Sequence, residues 1–380
     1  MKNILIVMGG VSTEHDISLI TGVQTINNID KTKYAIYPVV IDKQGKWHFS
    51  FDFVSVENIV RYFSNQKKQN EAVLLQDKIL YIKKKNKLKK AGSIDCVILC
   101  CHGGTGENGA LTGLFECIGL PIVSPNHTLS GIFMDKSLSK IIFEKLNIDS
   151  PKYMLVDREN YLKKEKDIKK EIFEEIGFPC VVKPCLGGSS IGITIAKTKK
   201  DFDGSLDNAF IYDNRVIVEK AVDNLYELNI AVMKCDGKLM LSQIEKPCNK
   251  NKLLSFDDKY ISNGKSGLNN MGRQLPAVIS PEQKSYIEDV SAKLYSEYIK
   301  SGVCRIDYLV DGKTQKVYIG EVNTIPGSMS FYLWQKPFAE ILDGLINQAI
   351  VDFESENKLQ KSFSSCVLDK FSRGSKMSKL

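Results

Sequence analysis

Apolar and polar positions alternate along the chain in blocks that read as strand, turn and helix. Asn3–Met8 is a continuous apolar run that stops at two glycines, and GGVSTEHDIS leads from it into an amphipathic stretch ending near Ile29. Tyr37–Ile41 predicts a second strand. Ile94–Cys101 (IDCVILCC) is apolar throughout, as a parallel strand covered on both faces would be. A Gly-rich loop, a helix over Ala110–Ile118 and a short strand over Pro121–Ser124 follow. Strands alternating with helices predict a doubly wound α/β unit over residues 1–124. Residues 43–93 are polar and Lys-rich, hairpin-like around LLQDKILYIKKKNK, and read as a lateral insertion.

After Pro125 the pattern changes. A helical region over Leu129–Leu146 precedes a strand at Tyr153–Val156 and a charged helix over Tyr161–Ile176. CVVKPCLGGSSIGITIA then reads as strand, loop, strand. From Val216 strands predominate, with a helix over Pro281–Lys300 between the last two long ones. The expected organisation is two α+β units, 125–215 and 216–353, with antiparallel sheets. The Ser- and Lys-rich tail 354–380 reads as a frayed appendage.

Composition narrows the class. Hydrophobic residues make up 43% of 380 and charged residues 26%, the balance of a globular chain long enough to bury a core unaided. No apolar run approaches the roughly 20 residues of a membrane helix, and the first strand lacks the shape of a signal peptide, so a cytoplasmic protein without membrane partners is expected. The ten cysteines show no paired metal-ligand spacing and read as reduced, mostly buried thiols. Much of the net charge of +7 lies in Lys83–Lys90, Lys163–Lys170 and the C-terminal tail. Neither run interleaves lysines with the aromatic or arginine residues of a nucleic-acid surface, so solvated faces are expected and no nucleic-acid partner.

Candidate chemistry lies in the loops. Gly104–Gly109 (GTGENG) fits G-x-G-x-x-G after a strand, but the next strand ends Val123-Ser124-Pro125 without the carboxylate that would hold a ribose. A dinucleotide site is therefore disfavoured, and no P-loop exists. Lys183 ends an apolar strand and points toward a Gly/Ser loop, Gly187–Ser190, whose N–H groups and hydroxyls suit phosphate oxygens. VIVEK comes some thirty residues later, with Glu219, Lys220 and the next backbone groups available to an adenine edge. CRID (Cys304–Asp307) and GEVN (Gly320–Asn323) flank a turn. A hairpin there sets Asp307 beside Glu321, with Asn323 on the same face, a hard oxygen set for Mg²⁺. Arg305 shares that face and is available either to pair with a carboxylate or to serve a reacting carboxyl group.

Taken together these blocks resemble the ATP-grasp superfamily and, within it, the D-alanine–D-alanine ligases. The resemblance rests on GGVSTEHDIS, HGGTGENG, MDKSLSK, VVKPCLGGSSIG, VIVEK, DDKY, CRID and EVNTIPG, in that order from about residue 4 to 335. It implies an N-terminal α/β domain followed by two α+β domains clamping ATP, two Mg²⁺ (or Mn²⁺) ions, D-alanine as substrate and a homodimer. Lys136 and Lys183 would bind phosphates beneath a lid carrying Gly188 and Ser190. Glu219, Lys220, Val222 and Glu227 would surround adenine and ribose. Asp307, Glu321 and Asn323 would hold the metals. Glu14 would receive the ammonium of the first D-alanine in a network with Ser189 and Tyr260, although Ser12 and Glu14 also suit plain helix capping. Arg305 and the Gly327 N–H would stabilise an oxyanion, with His102, Glu107 and Lys259 near the substrates.

Departures gather in the second-substrate segment, where Tyr332, followed by Leu333, stands in place of a small hydroxyl residue. Thr112 replaces a usual glutamine, and Leu186-Gly187 an Arg-Glu pair in the lid. The expected activity is ATP-dependent synthesis of D-alanyl-D-alanine for peptidoglycan. The alternatives are a ligase with another second substrate (D-lactate, D-serine or another amine) and a non-catalytic nucleotide-binding regulator.

Overall fold

The computed structural model describes residues 1–65, 69–85, 87–247 and 273–365. The first sheet is built on β1 (Lys2–Gly9), which is followed by α1 (His15–Asn28), β2 (Tyr34–Ile41) and β3 (Trp47–Phe49). Next come α2 (Val56–Ser64), β4 (Ala72–Leu74), β5 (Ile79–Lys84), β6 (Lys87–Ser93), β7 (Cys96–Leu99), α3 (Gly104–Glu107), α4 (Ala110–Ile118) and β8 (Ile122–Val123). The strand order is β3-β2-β1-β7-β8, parallel except for β3. Both faces of β1 are buried. Ile4, Ile6 and Met8 pack on one side and Leu5 and Val7 on the other, which is why its run is apolar without alternation. The expected insertion is only partly lateral, because Trp47–Phe49 joins the edge of this sheet and the rest forms a separate antiparallel sheet, β4-β5-β6.

The helical region over 129–146 is two helices, α5 (His127–Met134) and α6 (Lys136–Lys145). Asp135 breaks them, its carboxylate accepting from the N–H groups of Ser137 and Leu138 and pairing with Arg215. The second sheet contains β9 (Tyr153–Asp157), β10 (Cys180–Pro184), β11 (Thr194–Ala196) and β12 (Arg215–Lys220), backed by α7 (Arg158–Glu175) and α8 (Lys199–Phe210). Its order is β11-β10-β12-β9, all antiparallel. Val216–Lys220 therefore lies inside this sheet and does not open the next one. Helix α8 has no counterpart among the expected elements.

The third sheet has the order β14-β13-β17-β18. It uses β13 (Tyr226–Cys235), β14 (Lys238–Leu241), β17 (Val303–Val310) and β18 (Val317–Asn323). Between β14 and β17 lie the short pair β15 (Lys246–Pro247) and β16 (Arg273–Gln274), then α9 (Pro281–Leu294). The last helix, α10 (Phe338–Asn357), runs into the stretch read as tail. It packs Ile341, Leu342, Leu345 and Ile346 into one core with Ile4 and Ile6 of β1 and Ala231 and Met233 of β13. The lysine runs are solvated as expected, on the β5–β6 hairpin and along α7, where Lys163 and Lys169 pair with Glu159 and Glu165 one turn away. The eight described cysteines are unbridged, and burial pushes the thiols of Cys96, Cys100 and Cys185 up to about 12. No helix among the described residues is long and apolar enough to cross a membrane.

Candidate active site

The third sheet brings its carboxylates together by register. Antiparallel pairing of β17 with β18 sets Asp307 opposite Glu321 and Arg305 opposite Asn323, with a bulge just after Asp307. Arg305 grips Asp307 through two hydrogen bonds, 2.6 and 2.7 Å, and Asn323 donates to the same carboxylate at 3.0 Å. Arg305 thus does pair with a carboxylate. The set is still one of hard oxygen donors, two carboxylates and a side-chain amide at one strand end, and this chemistry fits a divalent cation.

Glu321 also faces the rest of the site. Lys136, at the start of α6, places its ammonium 4.0 Å from Glu321 and donates to the Gly187 carbonyl at 2.6 Å. A small cavity between them is lined by Lys136, Pro184, Gly187–Ile191 and Glu321. Lys183, on β10, lies behind it, paired at 2.6 Å with Glu219 on β12, and Glu219 meets Lys140 at 2.9 Å on its other oxygen. Burial by itself would raise the Glu219 carboxyl, but Lys183 and Lys140 outweigh it and hold the group down at about 2. Glu219, expected at an adenine edge, is also the buried partner of two lysines. Lys140 sits one helical turn after Lys136 in MDKSLSK, and that spacing is its signal in the sequence. Lys220 and Val222 lie where the chain leaves the second sheet, and Glu227 comes next in β13 opposite Leu309.

The Gly/Ser loop reaches the N-terminal unit. Ser189 donates its hydroxyl to Glu14. A Cβ on Gly188 would lie 2.5 Å from a Glu14 oxygen and one on Gly103 2.6 Å, so the close approach requires glycine at both. Ser189 and Ser190 take left-handed backbone angles, φ 51° and 59°, which side chains other than glycine adopt at a cost. At the N-terminus of α1 the Ser12 hydroxyl accepts the Glu14 N–H at 2.9 Å, but the Glu14 side chain makes no capping bond.

A relay joins α1 to the EVNTIPG segment. The Ile325 carbonyl can only accept, so the His102 Nδ1, 2.8 Å away, carries the proton. Nε2 then accepts from the Thr21 hydroxyl at 2.8 Å, whose oxygen accepts the Ser328 N–H at 3.1 Å. Burial keeps the imidazole neutral, lowering it to about 4. Glu107 accepts the N–H groups of Gly103 and Ile325, and burial, reinforced by Glu14, raises its carboxyl to about 7. Gly327 opens a tight turn in which Ser328, Met329 and Ser330 are all left-handed, with φ of 50–52°.

At the second-substrate segment, Tyr332 is half-buried against the guanidinium of Arg273, 4.4 Å from its ring centre. The Leu333 side chain is fully buried in the core shared with α10. Lys259 and Tyr260 lie outside the described residues.

Known proteins share this layout. A family model described as the N-terminus of D-ala D-ala ligase matches residues 3–125, and one described as its C-terminus matches 142–352. A D-alanine–D-alanine ligase of Thermosipho melanesiensis is 33% identical over 359 residues, covering 94% of this chain and 96% of its own. Among solved structures, the D-Ala:D-Ser ligase VanG of Enterococcus faecalis is 26% identical with a TM-score of 0.75, over 92% of this chain and 99% of its own. The Bacillus anthracis D-alanine–D-alanine ligase, solved in complex with ATP, is 25% identical with a TM-score of 0.64, over 94% and 100%. With both family models matched in sequence order over most of its length and relatives of this identity covering nearly all of it, the chain belongs to the D-alanine–D-alanine ligase family and has its ATP-grasp fold.

Proposed function

We propose that the protein joins two D-alanine molecules, converting ATP to ADP and phosphate. One observation carries the reading: Asp307 and Glu321 stand in register at a strand end that faces Lys136 and the lid. A carboxylate oxygen of the first D-alanine attacks the γ-phosphorus and ADP leaves. The amine of the second then attacks the resulting acyl phosphate, and phosphate departs with that oxygen as the amide forms.

The chain's residues supply position and charge. Lys136, now on the Gly187 carbonyl, would exchange it for a phosphate oxygen, while Lys183 stays paired with Glu219. Glu14 holds the first ammonium, and Ser189 closes the lid over it. Arg305 and the Gly327 N–H face the developing oxyanion, with the latter's turn tied down through Thr21 and His102. Lys220, Val222 and Glu227 line the nucleotide's outer end. Asp307, Glu321 and Asn323 would hold Mg²⁺, which when bound neutralises phosphate charge.

We further infer three units centred on the three sheets, with the second ending after Lys220. The resemblance supports a cytoplasmic homodimer whose product feeds peptidoglycan synthesis. A ligase using D-serine as acceptor is the second reading, favoured by Tyr332 and by the D-Ala:D-Ser relative.

The test is Glu321→Ala. D-alanine-stimulated phosphate release should fall by at least about 100-fold, the loss of a contribution worth several kcal/mol. Undiminished turnover would remove the metal assignment, and ATP binding without any stimulated release from the parent chain would favour a regulator.

A further inference from the structure

Where a small hydroxyl residue is expected to meet the second substrate's carboxylate, this chain has Tyr332, and the fold lays a cation on it. Arg273 reaches there from β16, separated from Tyr332 by nearly sixty positions in sequence. Its guanidinium lies 4.4 Å from the ring centre and pairs with Glu245 at 3.4 Å, both side chains largely buried. Glu245 exchanges two backbone hydrogen bonds with Asn229, 2.9 Å each, and Asn229 lies opposite Asp307 in the pairing of β13 with β17. Asp307 in turn holds Arg305. Two ion pairs, Arg273–Glu245 and Arg305–Asp307, are thus linked through Asn229 beside the Tyr332 ring.

We propose that Arg273, over the Tyr332 ring, is a specificity-determining residue that receives the carboxylate of the second substrate; the inference rests on the ligase reading above. A guanidinium is planar and presents its donors as a fork matched to a carboxylate. Partial burial limits competition from water. Tyr332 acts as the platform and its bulk replaces the space of the missing small residue. The surroundings carry two cations and two anions. Such a balanced wall suits a zwitterionic α-amino acid better than a 2-hydroxy acid, which brings a net negative charge and no ammonium.

The experiment is steady-state kinetics on the full-length protein with D-alanine, ATP and D-lactate. Arg273→Gln should raise KM for the second D-alanine about 10- to 100-fold, the range for a lost hydrogen bond to a charged group. KM for ATP and for the first D-alanine should stay within about twofold, and Arg273→Lys should recover part of the loss. Tyr332→Leu keeps the ion pair while removing the platform, and should raise the same KM about tenfold. Glu245→Gln, which adds net positive charge, should increase use of D-lactate relative to D-alanine. A second-substrate KM that is unchanged in folded Arg273→Gln, or a uniform fall in kcat with no KM selectivity, overturns the proposal. If Arg273→Gln does not fold, an unchanged KM in Tyr332→Leu overturns it equally. A parent chain that forms no dipeptide would instead overturn the ligase reading, a distinct result.

Discussion

His102 and Glu107 are both enclosed, at 3% and 8% exposure, and their titrations act on stability with opposite sign. Between pH 6.5 and about 4 an unfolded chain takes up a histidine proton that the folded one refuses, so His102 costs stability as pH falls through that window. Between pH 4.5 and about 7 the folded chain keeps a Glu107 proton that the unfolded one has released, so Glu107 costs stability as pH rises. Chemical denaturation at pH 5 and pH 8 separates them. Relative to the parent, His102→Gln should be better tolerated at pH 5 than at pH 8, and Glu107→Gln the reverse, each by about 2 kcal/mol. Parallel behaviour of both variants would contradict the burial assigned to these groups. At this scale the sequence is most informative where chemistry is local: Asp307, Glu321 and Asn323 follow from strand alternation within one hairpin. Arg273 carries no such signal, because its partners Glu245 and Tyr332 come to it only through tertiary folding. Glu219 and Lys183 both stand out in the sequence, but their pairing and the second partner, Lys140, do not, and these change what the Glu219 carboxylate can do.

The lid is the element on which function turns. Its left-handed Ser189 and Ser190 need compensation, and the Ser189 hydroxyl on Glu14 provides some of it. Ser189→Ala removes a hydrogen bond to a carboxylate in a half-buried setting, so amide hydrogen exchange over residues 187–191 should quicken by about tenfold. Exchange over β1 should not change. Unaltered lid exchange would mean that other contacts hold the loop. Gly188→Ala provides a steric complement, since its Cβ meets the Glu14 carboxylate. Elements with one clean period are legible in the sequence: the α4 helix Ala110–Ile118 has the bounds expected. The α5–α6 break is not, because Asp135 is an ordinary helix residue until its carboxylate caps the first turn of α6. Helix α8 carries a recognisable stripe, Phe202, Leu206, Ala209 and Phe210, but Gly204 and three aspartates dilute it.

Across the whole molecule, α10 matters more than its place near the C-terminus suggests. Its apolar face is shared with β1 of the first sheet and β13 of the third, so the strand that leads to Glu14 and the strand that pairs with β17 rest on one core. The composition of residues 354–380 suggests an appendage throughout, yet α10 continues to Asn357. The polar relay Thr21–His102–Ile325 ties the same two regions on the site side. The architecture therefore ties the loop that carries Glu14 to the turn at Gly327, while the Gly/Ser loop keeps two left-handed serines.

The central claim is that the first D-alanine is activated as an acyl phosphate within this arrangement. D-alanine labelled with ¹⁸O in both carboxylate oxygens tests it directly when incubated with the protein, ATP and Mg²⁺. Every phosphate released should carry one ¹⁸O, and the dipeptide formed should have lost one label from its amide carbonyl carbon. Unlabelled phosphate accompanying ADP would contradict the account, because the carboxylate oxygen would then never have attacked the γ-phosphorus.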